Sequence, residues 1–189
     1  HPRDMTRDVI ETIAKYRSLA KQIHLPVQSG DDKVLIRMNR KHSMERYREV
    51  VGWIRELIPS ATLFTDVIVG FTGETDEQFE QTRAAVREFR YNMAYIAMYS
   101  PRPGAASFAW QDDVPHAVKK ERYAVLTGDL EKVAFEHTRK IKGETVRLLV
   151  RDKDRKDGYL SGHTEGKIIV RFPSDDESLI GSFVDVRIE

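Results

Sequence analysis

The chain has 189 residues, with Lys+Arg 31 against Asp+Glu 30, an apolar content of 40% and no cysteine. That length suits one large domain or a medium one plus a small one, and the composition excludes a disordered or strongly charged chain. Without cysteine, disulfides, thiolate zinc sites and cysteine-ligated iron–sulfur clusters are excluded within these residues, and the balanced charge gives no hint of a nucleic-acid partner.

In chain order, Thr6 is a candidate cap for a helix in which Val9, Ile10, Ile13 and Leu19 recur at helical spacing. Gln22 to Gln28 (QIHLPVQ) is a short apolar run ended by Ser29-Gly30 and reads as a buried strand followed by a turn. A short helix is expected near Asp32 to Asn39. Ser43 then opens the clearest helix, with Tyr47, Val50, Val51, Ile54, Leu57 and Ile58 on one face and Pro59 closing it. Ala61 to Val69 (ATLFTDVIV) is almost unbroken in apolarity, as expected of a parallel strand covered on both faces. Thr75 with Gln78 forms a capping-box pattern for a helix carrying Phe79, Thr82, Val86 and Phe89, and Met93 to Tyr99 (MAYIAMY) supplies a third strand.

This alternation predicts an α/β domain with parallel strands. Three strands are too few to close a barrel; if this is part of one, the first half is missing and the strand at 22–28 presents an unpaired edge. After a loop at Ser100 to Gly104 the character changes. Pro115 precedes a long charged helix, about Val118 to Lys142, in which Leu126, Leu130 and Val133 pack while Lys and Arg cover the other face; Gly143 ends it. ETVRLLVR, GYLSG, GKIIVRF and SFVDVRI then predict a small all-β, OB-like barrel. The expected division is 1–142 and 143–189.

No window approaches the roughly 18 consecutive apolar residues of a membrane span. The opening His1-Pro2-Arg3-Asp4 is not a signal peptide, so the cytoplasm is the expected location. The chain starts in mid-pattern and not with Met, which suggests a piece of a longer protein.

Ligands of open α/β sheets and barrels gather at the carboxyl ends of the strands. Those ends carry Gln28-Ser29-Gly30, Gly70-Phe71-Thr72-Gly73-Glu74 and Tyr99-Ser100-Pro101-Arg102. Gly70 and Gly73 allow positive φ, so amides there can meet a carboxylate or an adenine edge; Gln28 and Ser29 can reach ribose hydroxyls, and Arg102 an anion. Equally, the glycines can serve only as turn formers, and Glu74 can be a structural carboxylate at a helix start. His24 reads as a hydrogen-bonded core histidine, Asp66 as a strand carboxylate in need of a partner, and His1 as a polar group at a strand end.

HLPVQSG at His24 to Gly30, TDVIVGFTGET at Thr65 to Thr75 and YSPRPG at Tyr99 to Gly104 resemble, in order and separation, three blocks of the MiaB-type radical-SAM methylthiotransferases. HPRDMT at His1 to Thr6 resembles a further block, and LSGHTEGKIIVRF with LIGSFVDVRI resembles the TRAM domain of that family. The fold so implied is the second half of a radical-SAM (βα) barrel followed by a TRAM barrel. The implied reaction places a methylthio group on C2 of N6-isopentenyladenosine beside the tRNA anticodon. Two 4Fe-4S clusters and S-adenosylmethionine serve it in the parent enzyme, and none of them is expected to bind this cysteine-free chain, which is expected to be inactive alone.

By motif position, the resemblance implies that Gln28, Ser29, Gly70, Phe71, Gly73, Glu74 and Tyr99 hold S-adenosylmethionine. Thr72 stands where relatives commonly have Pro. The implied partners are a tRNA anticodon stem-loop and a reductant such as flavodoxin, with no membrane and a monomeric chain. Arg102, Arg147, Arg151, Lys153, Arg155, Lys156 and Arg171 are the candidate RNA contacts, with Tyr159, His163 and Phe172 as stacking partners, although the carboxylates of the same segment leave its charge not positive. A second basic cluster, Arg37, Arg40, Lys41, His42, Arg46 and Arg48, is either a further RNA contact or a solvated helix face. Two other readings stay open: a sibling enzyme acting on threonylcarbamoyladenosine or a ribosomal-protein aspartate, and a non-catalytic scaffold joined to an RNA-binding barrel.

Overall fold

The computed structural model describes residues 1–189. Its first part is a three-stranded parallel sheet of β1 (Gln22–His24), β2 (Thr62–Val69) and β3 (Met93–Met98), in that order, with β1 and β3 at the edges. The helices α1 (Arg7–Lys15), α2 (Asp32–Arg37), α3 (Met44–Leu57) and α4 (Asp76–Phe89) complete this part. One core of 21 buried residues runs through it, including Ile23, Val67 and Val69 of the strands, Tyr47, Val50 and Ile54 of α3, and Val86 of α4.

Helix starts follow local chemistry. Asp31 and Ser43 cap α2 and α3 by accepting from the Val34 and Arg46 amides, and the Thr75/Gln78 capping box forms as expected. Thr6 stands at the N-cap of α1, but its side chain makes no capping bond. That helix ends at Lys15, so Leu19 lies beyond it and is exposed.

The strand expected at 22–28 is regular only through His24: the Leu25 amide still donates to the Phe64 carbonyl at 2.8 Å, but the Val27 amide turns to a side chain, and the next backbone bond to β2 runs from Gln28 to the Asp66 carbonyl at 2.8 Å. Side chains take over: Thr65 Oγ1 accepts from the Val27 amide at 2.9 Å, and Tyr47 Oη donates to the Leu25 carbonyl at 2.7 Å. Pairing resumes at Gln28, bridged to Val67, with Gln28 in the left-handed region at φ 69. Gly30 follows, where an added Cβ would lie 2.4 Å from the Gln81 carbonyl, so α4 can approach only a glycine.

Beyond β3, a 3-10 turn (Ala106–Ala109) leads into α5 (His116–Lys140), a helix of 25 residues. A curled antiparallel sheet of β4 (Thr145–Lys153), β5 (Tyr159–Thr164), β6 (Ile169–Pro173) and β7 (Phe183–Arg187) follows, in the order β6-β5-β4-β7. Alternation along β4 buries Leu148 and Val150 and turns Arg147 outward. The β5–β6 turn reaches the first sheet: Thr62 Oγ1 donates to the Gly166 carbonyl at 2.7 Å, and the Lys167 ammonium lies 6.0 Å from the Phe64 ring centre. One face of β2 is therefore covered only at its start. No helix is long and apolar enough to cross a membrane.

Candidate cofactor cleft and RNA-facing surfaces

A cleft of about 410 Å³ opens at the carboxyl ends of β2 and β3, walled by Ile68, Phe71, Tyr99, Arg37, Arg40 and Arg102 among others. Phe71 packs edge-on against Tyr99, with ring centres 4.7 Å apart, and near Trp110 at 6.0 Å. The Gln28 side chain is fixed by Arg40, whose Nη2 donates to its Oε1 at 2.7 Å. Arg37 Nη2 donates to the Gly73 carbonyl at 3.1 Å and to Gln78 at 3.0 Å. The Nε groups of Arg37 and Arg40 are buried without partners.

The glycine amides do meet carboxylates, but these belong to the chain itself. Gly70, at φ 69, donates to Glu74 Oε2 at 2.7 Å, and Gly73, at φ 74, donates to Asp113 at 2.7 Å. Glu74 is turned inward with its side chain 0% exposed, and Arg122 Nη1 donates to the same carboxylate oxygen at 2.8 Å. Burial pushes the Glu74 carboxyl above its ordinary range, while the Gly70 amide and Arg122 pull it down. Ser29 is fully buried, its hydroxyl 3.3 Å from that of Thr82 on α4, so it faces the helix and not the cleft. The side chains of Ser29 and Glu74 thus brace the loops, while Gln28, Phe71 and Tyr99 line or flank the opening.

Two residues that sequence reasoning missed hold this end of the molecule. Lys119 and Arg122 of α5 are buried, against the expectation that the basic residues of that helix face solvent. Lys119 Nζ donates to Asp112 at 2.6 Å and to the Tyr99 carbonyl at 3.2 Å, and Arg122 also pairs with Asp76 at 2.7 Å. The available signal was spacing: 119, 122, 126, 130 and 133 form one helical stripe that continues the apolar face through two cations.

On the concave face of the first sheet, His24 Nε2 lies 3.0 Å from Asp66 Oδ2, and the His24 ring stacks on Tyr95 with centres 5.7 Å apart. Asp66 finds its partner, but His24 is exposed and is not a core residue. His1 packs edge-on against His42 at 5.3 Å. No group of three His, Asp or Glu is arranged to hold a metal ion.

Comparison with known proteins places these features. Residues 1–86 match the Radical SAM superfamily and residues 139–189 match the TRAM domain. The chain thus matches a radical-SAM model in its first part and a TRAM model at its end. It is 43% identical over 189 residues to the tRNA-2-methylthio-N(6)-dimethylallyladenosine synthase of Symbiobacterium thermophilum, covering 100% of this chain and 40% of that protein. It is 40% identical to the corresponding synthase of Stutzerimonas stutzeri, covering 100% of this chain and 44% of that protein. The chain thus spans about two fifths of the length of these relatives. Among solved structures, coproporphyrinogen III oxidase (HemN) of Escherichia coli, described as a radical SAM enzyme, aligns with a TM-score of 0.51 at 17% identity, over 90% of this chain and 49% of that one. That likeness speaks for the fold.

The candidate RNA contacts fall into separate places. Arg102 borders the cleft of the radical-SAM segment, whereas Arg147 lies on the outward face of the TRAM sheet. Arg151 sits at the irregularity where β4 changes register against β5. Lys153 pairs with Glu177 at 2.7 Å and Arg171 with Asp154 at 3.5 Å, while Lys156 lies over the Tyr159 ring at 3.8 Å; Arg155 is exposed. The second basic cluster is likewise dispersed. Arg37 and Arg40 turn into the cleft, whereas Arg46 and Arg48 pair with Glu49 and Glu88 on the outside of the domain.

Proposed function

We propose that this chain is the part of a tRNA methylthiotransferase that completes the S-adenosylmethionine cradle and grips the RNA, in an enzyme acting on C2 of N6-isopentenyladenosine beside the anticodon. The observation that carries this reading is the identity of about 40% along the whole chain to synthases named for that product.

The cleft suits S-adenosylmethionine. Ile68, Phe71 and Tyr99 offer apolar walls for adenine, Gln28 a preset amide for ribose hydroxyls, and the Arg37 and Arg40 guanidiniums positive charge for the methionine carboxylate. Gly70, Gly73 and Glu74 act here as the braced loop that shapes this wall. When bound, S-adenosylmethionine supplies hydrogen-atom abstraction and a methyl group. The iron–sulfur clusters do not fit these residues, because the chain contains no thiolate to ligate them, and it is expected to be inactive alone. His24 and Asp66, facing the inside of the sheet, offer a hydrogen-bonding pair to a base entering from the TRAM side, with Tyr95 as its stacking surface. Arg102, Arg147, Arg151 and Arg155 are left to meet RNA phosphates, while a flavodoxin-type reductant serves the whole enzyme.

Mass spectrometry of tRNA nucleosides from cells with and without the full-length gene tests this reading. Loss of 2-methylthio-N6-isopentenyladenosine with accumulation of its unmethylthiolated precursor is expected. Loss of the threonylcarbamoyl derivative instead would transfer the assignment to the sibling reaction, and no change in either would overturn tRNA methylthiolation.

A further inference from the structure

A second cleft, of about 580 Å³, lies where the segment between α1 and β1 faces the TRAM sheet. Its floor is the outward side of that sheet: Leu149 of β4 stands in register with Phe183 of β7 on one side and with His163 of β5 on the other. Its opposite wall carries Arg17 and Lys21. The Lys21 ammonium is occupied, because it donates to the carbonyls of Ile13 and Tyr16 at the end of α1.

Arg17 and Arg147 are different. Lys153 and Arg171 on the far side of the TRAM domain have carboxylate partners, whereas neither of these guanidiniums forms an ion pair. Arg147 instead lies 4.6 Å from the centre of the Phe183 ring, and that ring is 60% exposed. A ring mostly in water, flanked by two guanidiniums without an ion pair in a cleft whose lining carries a single carboxylate, Glu165, is the chemistry that stacks a base and clamps its phosphate.

We propose that this cleft binds one unpaired nucleotide of the RNA substrate, its base stacked on Phe183 and its phosphate held between Arg147 and Arg17. The proposal rests on the RNA-modifying reading above and adds to it a place and a role. His163 borders both this cleft and the neighbouring one that contains Phe64, Met93, Tyr95 and Lys167 on the concave face of the first sheet. A strand leaving Phe183 past His163 therefore runs directly toward His24 and Asp66. The nucleotide on Phe183 is a neighbour of the one to be modified, and it sets the register in which the target base enters.

Fluorescence anisotropy of a labelled anticodon stem-loop RNA, titrated with this chain at several salt concentrations, tests the proposal. Phe183→Ala is expected to weaken binding about tenfold, with Phe183→Trp retaining it, as for a stacked base. Arg17→Ala and Arg147→Ala are each expected to flatten the dependence of log affinity on log salt by about 0.7, the contribution of one phosphate contact on a single strand. Lys132→Ala, on the exposed face of α5, is the control and is expected to change nothing. Binding by the unaltered chain that is indifferent to Phe183→Ala and Arg17→Ala would overturn the cleft and leave the RNA reading standing. Equal competition by a fully paired RNA would overturn the unpaired nucleotide, and no binding by the unaltered chain would overturn cleft and RNA reading together. All three substituted side chains are exposed, so circular dichroism is expected to show unchanged folding.

Discussion

The cleft at the strand ends and the cleft at the sheet junction differ in what their charged groups are attached to. At the strand ends, Glu74, Arg122, Lys119 and Asp112 are joined to one another and to loop backbone, so the wall is set before any ligand arrives. At the junction, Arg17, Arg147 and Phe183 lie on an already folded scaffold and support nothing behind them. Preorganisation of the first kind makes fold and site inseparable, whereas the second kind can be altered without touching the fold.

The sharpest way to break this contrast is Arg122→Met. It leaves the Glu74 carboxylate buried beside an apolar side chain, and urea denaturation is expected to show a loss of about 3–5 kcal/mol. Adding Glu74→Gln removes the stranded charge, so the double variant is expected to recover part of that loss. Equal losses in single and double variants would mean that the pair is not coupled. Next in size, Gly30→Ala pushes a methyl group into the Gln81 and Thr82 backbone and is expected to cost about 1–3 kcal/mol in the same measurement. A neutral outcome would show that α4 can retreat from the Gln28–Gly30 turn. Smallest, Phe183→Ala is expected to change stability by less than about 0.5 kcal/mol, because its ring is mostly in water. A larger loss would show that the exposed ring supports the TRAM sheet after all.

Legibility in the sequence followed the range of the interactions. The capping box at Thr75 and Gln78, the Ser43 cap and the apolar face of α3 depend on neighbours three or four residues away, and each formed where the pattern put it. The three strands were legible from their apolar runs, except that the first leaves its register after Leu25, where the Val27 amide and the Leu25 carbonyl bond to Thr65 and Tyr47. Motif position located the strand-end loops but did not reveal which of their side chains turn inward. Glu74 faces Arg122 from 48 residues away, and His24 meets Asp66 only because β1 and β2 pair in one register. Arg17 belongs to no local pattern, because what it faces is a sheet more than a hundred residues later in the chain.

The long helix α5 connects the two clefts mechanically. At 1.5 Å per residue its 25 residues make a rod about 37 Å long. Lys119 and Arg122 anchor its first turns to Tyr99 and Glu74, while His137 near its far end borders the β5–β6 turn of the TRAM sheet. The anchors stand about 25 Å apart along the helix, so a tilt of about 3° at one moves the other by about 1 Å, comparable with the helix shifts that switch packed interfaces. A displacement of the TRAM sheet thus has a direct lever on the loops that shape the cleft at the strand ends.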